Sequence, residues 1–451
     1  MKTPSSQYGI LFKVGFLIVL VVLLMIPLAM VSSLVGEREG RRNGVQEEII
    51  GSWGGKQNLG GPVLTVPYDV VTMDEKGKSV ASVGRAHFLP DALSVECEVV
   101  PETRSRGIYQ AVVYKAHMVL TGTFKHPDFS GWEVAAREIR WNEASLAVEL
   151  PDMRAIRETV LFSWNGRALE PTSGSPEAGL FSGEARVALP EAASWSPADP
   201  VPFRIELTLA GGGALSFLPL GTDTKVRVSS SWPSPEFQGA FLPTTRTVRN
   251  DGFTAEWRIP ALARAYSQRW TDARPQTESV LASSFGVNLM MPVDIYQKVT
   301  RAVKYGILFL VLPFLVLFLF EVFSDRRVNP LQYLFIGLTD CVFYLLLLAL
   351  SEQIPFAAAY LVGAFACTAL VTVYAQAFLS PRRRGLAMLP VLGIGYTFLY
   401  FVLQSEDYAL ILGSVFLFLV LAALMILTRN VDWYSVGRRK ASAEDEPSPK
   451  P

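Results

Sequence analysis

Apolar residues in this chain gather into a few long runs. A transmembrane helix needs about 20 consecutive, mostly apolar residues. The first such run spans residues 14–35, from Val14 to Val35, preceded by Lys2 and Lys13. It exceeds the ~7–15 apolar residues of a signal-peptide core, and no clear A-x-A site follows, so it reads as a retained anchor. Nothing comparable appears until Tyr305. Five spans then follow at 305–323, 331–350, 355–379, 385–403 and 408–427, none containing Lys or Arg. Their connections are only a few residues long, which makes neighbouring spans antiparallel hairpins.

Between the first and second spans the pattern changes. A polar stretch with helical character, Glu37–Ile50, gives way to short runs of strand type. Examples are Val63–Val66, Ala92–Val100, Ile108–Phe124, Ala144–Leu150, Glu184–Leu189, Phe203–Leu209 and Lys225–Ser230. Phe203-Arg204-Ile205-Glu206-Leu207-Thr208-Leu209 alternates apolar with polar, as a strand with one buried face does. Turn clusters rich in Gly, Pro, Ser and Asp separate the runs. Many short strands with turn signals predict a sandwich or barrel-like β-domain. Pro171–Pro176 is the best candidate for a long loop or a sub-domain join, and the segment is large enough for one big domain or two small ones.

Charge then fixes an expected orientation. Basic clusters follow the second, fourth and sixth spans: Asp325-Arg326-Arg327, Arg382-Arg383-Arg384, and Arg429 with Arg438, Arg439 and Lys440. The intervening connections carry Glu352 and Glu406-Asp407 without a basic residue. Lys and Arg in short loops mark the cytoplasmic side. Both termini are therefore expected in the cytoplasm and the long segment on the far side. Lys298, Arg301 and Lys304 close a loop too long for that rule to govern.

Composition removes several classes. The 451 residues carry 41 Lys+Arg and 41 Asp+Glu, so no basic excess exists for phosphate-dominated nucleic-acid binding. From Glu37 to Lys304 there are 31 acidic and 29 basic residues, so the far-side segment is itself near neutral. Cys97, Cys341 and Cys367 are too few for a disulfide scaffold or a four-thiolate metal site. Cys97 shares a strand face with Val95 and Val99 and reads as a small buried hydrophobe.

Candidate chemistry is sparse. Gly54-Gly55-Lys56 suggests a phosphate loop, but the first Gly stands at 51, one residue late, and Gln57 replaces Ser/Thr. It reads as a turn, as does Gly211-Gly212-Gly213. No G-x-S-x-G, H-E-x-x-H or C-x-x-C occurs, and His87, His117 and His126 lack metal-ligand spacing. No catalytic residue, cofactor or metal site is expected. Two acids lie in or near the bilayer. Glu321 is close enough to a span end to snorkel. Asp340 is central in the span 331–350, where a carboxylate is costly and function is the default hypothesis. The structural alternative is an acid hydrogen-bonded to Thr368, Tyr344 or Thr397 inside the bundle.

Three blocks resemble the CreD inner-membrane protein family. The first is Glu48-Ile49, Trp53-Gly54-Gly55, Gln57, Gly61-Pro62-Val63-Leu64 and Val66-Pro67-Tyr68. The second is Trp232-Pro233, Pro235, Phe237 and Gly239-Ala240-Phe241-Leu242-Pro243, with Asp251-Gly252-Phe253 and Trp257. The third, Phe285-Gly286-Val287, Tyr296-Gln297-Lys298, Arg301-Ala302, Lys304-Tyr305 and Leu308-Phe309, runs into a membrane span. The likeness covers nearly the whole chain except the tail after Lys440. It implies a Gram-negative inner-membrane protein of cell-envelope integrity, linked to a two-component regulon and to altered tolerance of colicins and β-lactams. It implies no enzymatic activity and no ligand.

The expectation is an α-helical multi-pass membrane protein of about six transmembrane helices with a large inserted periplasmic β-rich, sandwich-like domain. Its parts are a cytoplasmic N-terminus (1–13), an anchor (14–35), the periplasmic domain (36–304), a five-helix region (305–427) and a disordered cytoplasmic tail (428–451). Its partners are the lipid bilayer and an unidentified envelope protein or ligand bound through the periplasmic domain. The rivals are a transporter or lipid-handling protein built around Asp340, and a sensor. The first and third blocks are expected to pack near the membrane surface, with Lys298, Arg301 and Lys304 close to lipid phosphates or acids.

Overall fold

The anchor and the polar stretch after it form one helix, α1 (Tyr8–Trp53), in the computed structural model. The structure describes residues 8–73, 79–132, 138–174, 180–196, 199–291, 295–323, 328–379, 382–405 and 408–431. Asp325, Arg326, Arg327, Glu406, Asp407, Arg438, Arg439, Lys440 and the rest of the tail lie outside the described residues. The polar half of α1 continues the helix because nothing in it stops one. Its Glu and Arg residues are good helix formers, and Arg41 pairs with Glu37 at 3.7 Å, one turn apart. The stop comes at Gly54 and Gly55, whose φ of +124° and +76° suit glycine, with Gly55 N–H donating back to Ile50 O at 2.8 Å.

The strands follow. In chain order they are β1 (Gln57–Met73), β2 (Ser79–Phe88), β3 (Ala92–Arg106), β4 (Tyr109–Phe124), β5 (Ser145–Leu150), β6 (Leu161–Trp164), β7 (Arg167–Leu169), β8 (Thr172–Gly174) and β9 (Gly183–Ala188). Then come β10 (Val201–Gly212), β11 (Ala214–Phe217), β12 (Asp223–Ser230), β13 (Pro235–Gly239), β14 (Thr245–Arg249), β15 (Gly252–Pro260) and β16 (Arg269–Thr271), a short helix α2 (Thr277–Ala282), and β17 (Phe285–Leu289). Among the described residues they build two sheets. One has nine strands, in the order β13-β17-β11-β1-β5-β9-β8, with β2 on β1 and β16 on β2. The other has eight, in the order β14-β15-β12-β3-β4-β10-β6-β7.

The sheets share one apolar core, as a sandwich does. Trp257 of β15 meets Phe285 of β17 with ring centroids 5.6 Å apart, and the Trp257 indole donates to Phe241 O at 3.2 Å. Cys97 is buried in that core, and burial pushes its thiol well above the ordinary range, so it is not a reactive nucleophile. Each of the seven strand-like runs seen in the sequence falls within or overlaps a strand. The strands not singled out are mostly three to ten residues long, too short or too polar for a periodicity to register. The β-rich part forms one compact unit, Arg42–Pro292, with no division at Pro171–Pro176.

The second unit is Met1–Arg41 with Val293–Pro451. It holds α3 (Ile295–Lys304), α4 (Gly306–Phe323), α5 (Pro330–Ser351), α6 (Phe356–Phe378), α7 (Met388–Gln404) and α8 (Ala409–Thr428). Six helices among the described residues, α1 and α4–α8, are long and apolar enough to cross a membrane. A stripe on α1, Leu20, Leu24, Leu28, Val31 and Val35, is buried at spacings of three and four, as one helix face requires. Gly337 on α5 makes room for Leu24, which a Cβ there would meet at 2.3 Å. Asn329 and Gln332 form a capping box at the start of α5, with Pro330 at its first turn.

Candidate functional site

Asp340 points into the bundle, 2% exposed. Its Oδ1 accepts a hydrogen bond from Tyr396 OH of α7 at 3.2 Å, and Tyr360 OH of α6 donates to Tyr396 O at 2.6 Å. Three helices are thus tied by two tyrosines around one acid. The partner differs from the expected Thr397, which is exposed. One residue turns a helix face by about 100°, enough to exchange the tyrosine for the threonine. Asp340 Oδ2 and Tyr344 OH are buried without a protein partner, one turn apart on the same face of α5. An apolar groove of about 420 Å³ runs between α5 and α6, lined by Phe335, Thr339, Val342, Cys367 and Leu370 among others, and Asp340 is not part of its lining.

Glu321 has a cation of its own. Lys13 of α1 donates to its carboxylate, and Val328 N–H donates to the same oxygen at 3.3 Å. That pairing gives it a structural role at the joint of α1, α4 and α5. Glu352, at the far end of α5, accepts from Tyr296 OH at 3.0 Å and faces the Arg38 guanidinium at 3.8 Å, joining α1, α3 and α5. Helix α3 is amphipathic. Tyr296, Val299, Ala302 and Val303 are buried, Lys298 donates to Gln404 Oε1 of α7 at 3.0 Å, Arg301 is half-buried, and Lys304 is exposed. Tyr305 is the single residue between α3 and α4.

The first family block is a docking joint inside the β-rich unit. The Trp53 indole donates to Tyr114 O at 3.2 Å and lies between the guanidiniums of Arg104 and Arg157, 4.3 and 4.8 Å from its ring centre, a cation–π arrangement on both faces. Gly54 is glycine of necessity, since a Cβ would stand 2.8 Å from Ala210 O. The buried Gln57 side chain donates to Gly54 O. Gly61 and Pro62 sit where β1 shifts register against β5, and Pro62 has no N–H to give the ladder. Pro67 O accepts from Arg140 N at 2.9 Å. These residues shape the chain and hold no ligand-facing chemistry. Trp53 to Pro67 fall in one unit, and Tyr296 to Tyr305 in the other.

The larger hollow lies on the outer face of the eight-stranded sheet. A groove of about 820 Å³ runs over β14, β15, β12 and β3. A second, of about 410 Å³, continues over β3, β4 and β10, and the two share Glu98, Arg227 and Ser229. Here Arg227 pairs with Glu256 at 3.4 Å and Arg204 with Glu206 at 2.7 Å. Thr208 donates to Glu158 Oε2 at 2.7 Å and lies 3.0 Å from His117 Nδ1. The sequence reading singled out none of these acids and arginines, because alternating polar residues on a strand look alike whether they line a groove or face bulk water.

One buried acid affects stability. Glu149 of β5, 6% exposed, stands opposite Glu184 of β9 and accepts from Phe181 N–H at 2.9 Å. Burial, with Glu184 adding to it, pushes its carboxyl up from 4.5 to about 7. The folded chain therefore holds this proton more tightly than the unfolded chain. Stability is fully present below about pH 4.5 and falls as pH rises toward 7, by about 3 kcal/mol at most. Glu149→Gln is expected to flatten that dependence and raise the melting temperature of the β-rich unit at pH 7.5. A variant melting with the parent's pH slope would refute the assignment.

Six membrane-length helices and an inserted two-sheet unit define a multi-pass membrane protein. Among the described residues, no group of three or more His, Cys, Asp or Glu could hold a metal ion. The chain belongs to the CreD family: the family described as inner membrane protein CreD matches residues 9–434. It is 32% identical to the inner membrane protein CreD of Escherichia coli (strain K12), over 99% of this chain and 97% of that protein. A variant of the M1 zinc metallopeptidase from Deinococcus radiodurans overlays with a TM-score of 0.20, at 15% identity and 38% of each chain. The same variant bound to a Tyr-Ser-Ala substrate gives 0.19, at 12% identity, over 38% of this chain and 39% of that one. Overlays this poor carry no argument about fold or activity.

Proposed function

We propose that this inner-membrane protein maintains cell-envelope integrity without catalysis, by binding an envelope component through its β-rich unit. The carrying observation is the location of the hollows. The groove of about 820 Å³ on the eight-stranded sheet is polar and mixed in charge, whereas the groove of about 420 Å³ on the bundle is apolar and bypasses Asp340. Ligand sites are concave with a few placed polar groups. The arginine clusters after the second, fourth and sixth spans support cytoplasmic termini and a periplasmic β-rich unit.

A photo-crosslinking residue at Ser229 or Thr247, activated in intact cells, is expected to trap one discrete envelope component. The same residue on the solvent face of β7 should trap none. Impermeant thiol labelling of Glu406→Cys but not Arg383→Cys is expected from the orientation. Absence of any adduct from the groove would overturn the binding reading. A second reading, transport or lipid handling, draws on Asp340 Oδ2 and Tyr344 OH, both buried without a protein partner.

A further inference from the structure

We propose that the outer face of the eight-stranded sheet binds an extended zwitterionic peptide, its ammonium end at Glu96 and Glu98 and its carboxylate end at Arg246 and Arg249. The proposal rests on the reading that the β-rich unit is a binding module, and adds the chemistry of the ligand.

The argument begins with register. Arg227 stands opposite Glu256 on one side and Glu96 on the other. In the next outward row, Ser229 stands opposite Glu98, Glu98 opposite His117, and His117 opposite Thr208. These rows cross β15, β12, β3, β4 and β10 in turn, so residues far apart in sequence line one trough. From β14 to β10 there are five strand spacings, roughly 24 Å at ~4.8 Å each. That length suits about seven residues of extended chain.

The charges along the trough are not uniform. At the β14 end, Arg246 and Arg249 have no ion pair among the described residues, and Arg246 lies over the Phe237 ring at 5.8 Å. In the middle, the Arg227–Glu256 pair cancels, and Ser229, Ser230 and Thr254 supply hydroxyls. At the β4–β10 end, Glu96 and Glu98 have no basic partner among the described residues, while Glu206 is paired with Arg204. The trough therefore carries positive charge at one end and negative charge at the other. Such a field orients a ligand with opposite charges at its two ends and disfavours one charged alike throughout.

A hydrogen-bond chain fixes a further group at the acidic end. Thr208 has one hydroxyl hydrogen, and it goes to Glu158 Oε2. His117 Nδ1 must then be the donor to Thr208, which leaves Nε2 of the neutral imidazole as an acceptor. His117 lines the trough, so its second nitrogen is available to a ligand N–H.

The competing account is that Arg246 and Arg249 merely guard an edge strand against pairing. The full chain in detergent would be titrated with the peptide Lys-Ser-Gly-Ser-Gly-Ser-Glu, both termini free. Its acetylated, amidated analogue with Gln replacing Lys and Glu is the comparison. The free peptide is expected to bind at least tenfold more tightly. Glu96→Gln with Glu98→Gln should remove most of that difference, as should Arg246→Gln with Arg249→Gln. These are outward positions, and an unchanged melting temperature would show that the variants are folded. Equal affinity for both peptides, as an anionic glycan site or an edge guard would give, overturns the proposal, and so does no binding of either. Crosslinking at Ser229 in cells separates the two readings. An adduct without peptide binding removes only the peptide assignment, whereas no adduct and no binding remove both.

Discussion

Gly286→Ala is expected to unfold or severely weaken the β-rich unit, by about 3 kcal/mol or more. Gly286 is the middle residue of the Phe285-Gly286-Val287 block and pairs with Ser216. A Cβ there would stand 2.1 Å from Leu215 O and 2.7 Å from Ser216 Cα. Both are backbone atoms, so no rotamer change relieves the clash. The β11–β17 pairing would have to separate, and β17 is where Phe285 meets Trp257 across the core. Eight of the nine tryptophans lie between Trp53 and Trp270, so their fluorescence reports this unit almost exclusively. A variant with the parent's melting temperature and emission spectrum would show that the strands yield more easily than the backbone contact allows.

Asp340 is expected to tolerate asparagine and reject leucine. Asparagine keeps an oxygen to accept the Tyr396 hydroxyl. Leucine leaves that hydroxyl buried without a partner in the bundle, at a cost of about 1–3 kcal/mol. The measurements are folded yield and melting temperature in detergent, alongside growth of the variants under envelope stress. Tolerance of asparagine fits a structural tie among α5, α6 and α7. Loss of function in both variants, with folding intact, would instead support proton-linked transport, because asparagine cannot exchange a proton. Full activity and stability of Asp340→Leu would remove both roles.

The same contrast separates what was legible in the sequence from what was not. The membrane spans were legible because insertion depends on the apolarity of about 20 consecutive residues, a local quantity. Helices α4–α8 accordingly fall within a few residues of the expected spans. The continuation of α1 through Glu37–Ile50 differed from an anchor followed by a separate segment, because the stop signal, Gly54-Gly55, comes only after Trp53. Cys97, in alternation with Val95 and Val99, went to the core as its strand pattern required.

Strand pairing was not legible in this way. Strand β1 alone changes partners, from parallel β11 at Gln57–Leu59 to β5 and then β2. No local pattern encodes three partners for one strand, since each contact depends on a segment far away in the chain. The tie to Asp340 depended on Tyr396 facing inward where Thr397 does not. Glu321 as a paired acid required Lys13, 308 residues away. The trough draws on Glu96, His117, Glu158, Arg227 and Arg249, which only the order of strands in the sheet brings together. Sequence by itself determined which segments enter a membrane and which alternate as strands, because apolarity and periodicity are properties of neighbouring residues. The tertiary structure alone decided which charges meet, because that depends on long-range pairing and on the rotation of each helix about its own axis.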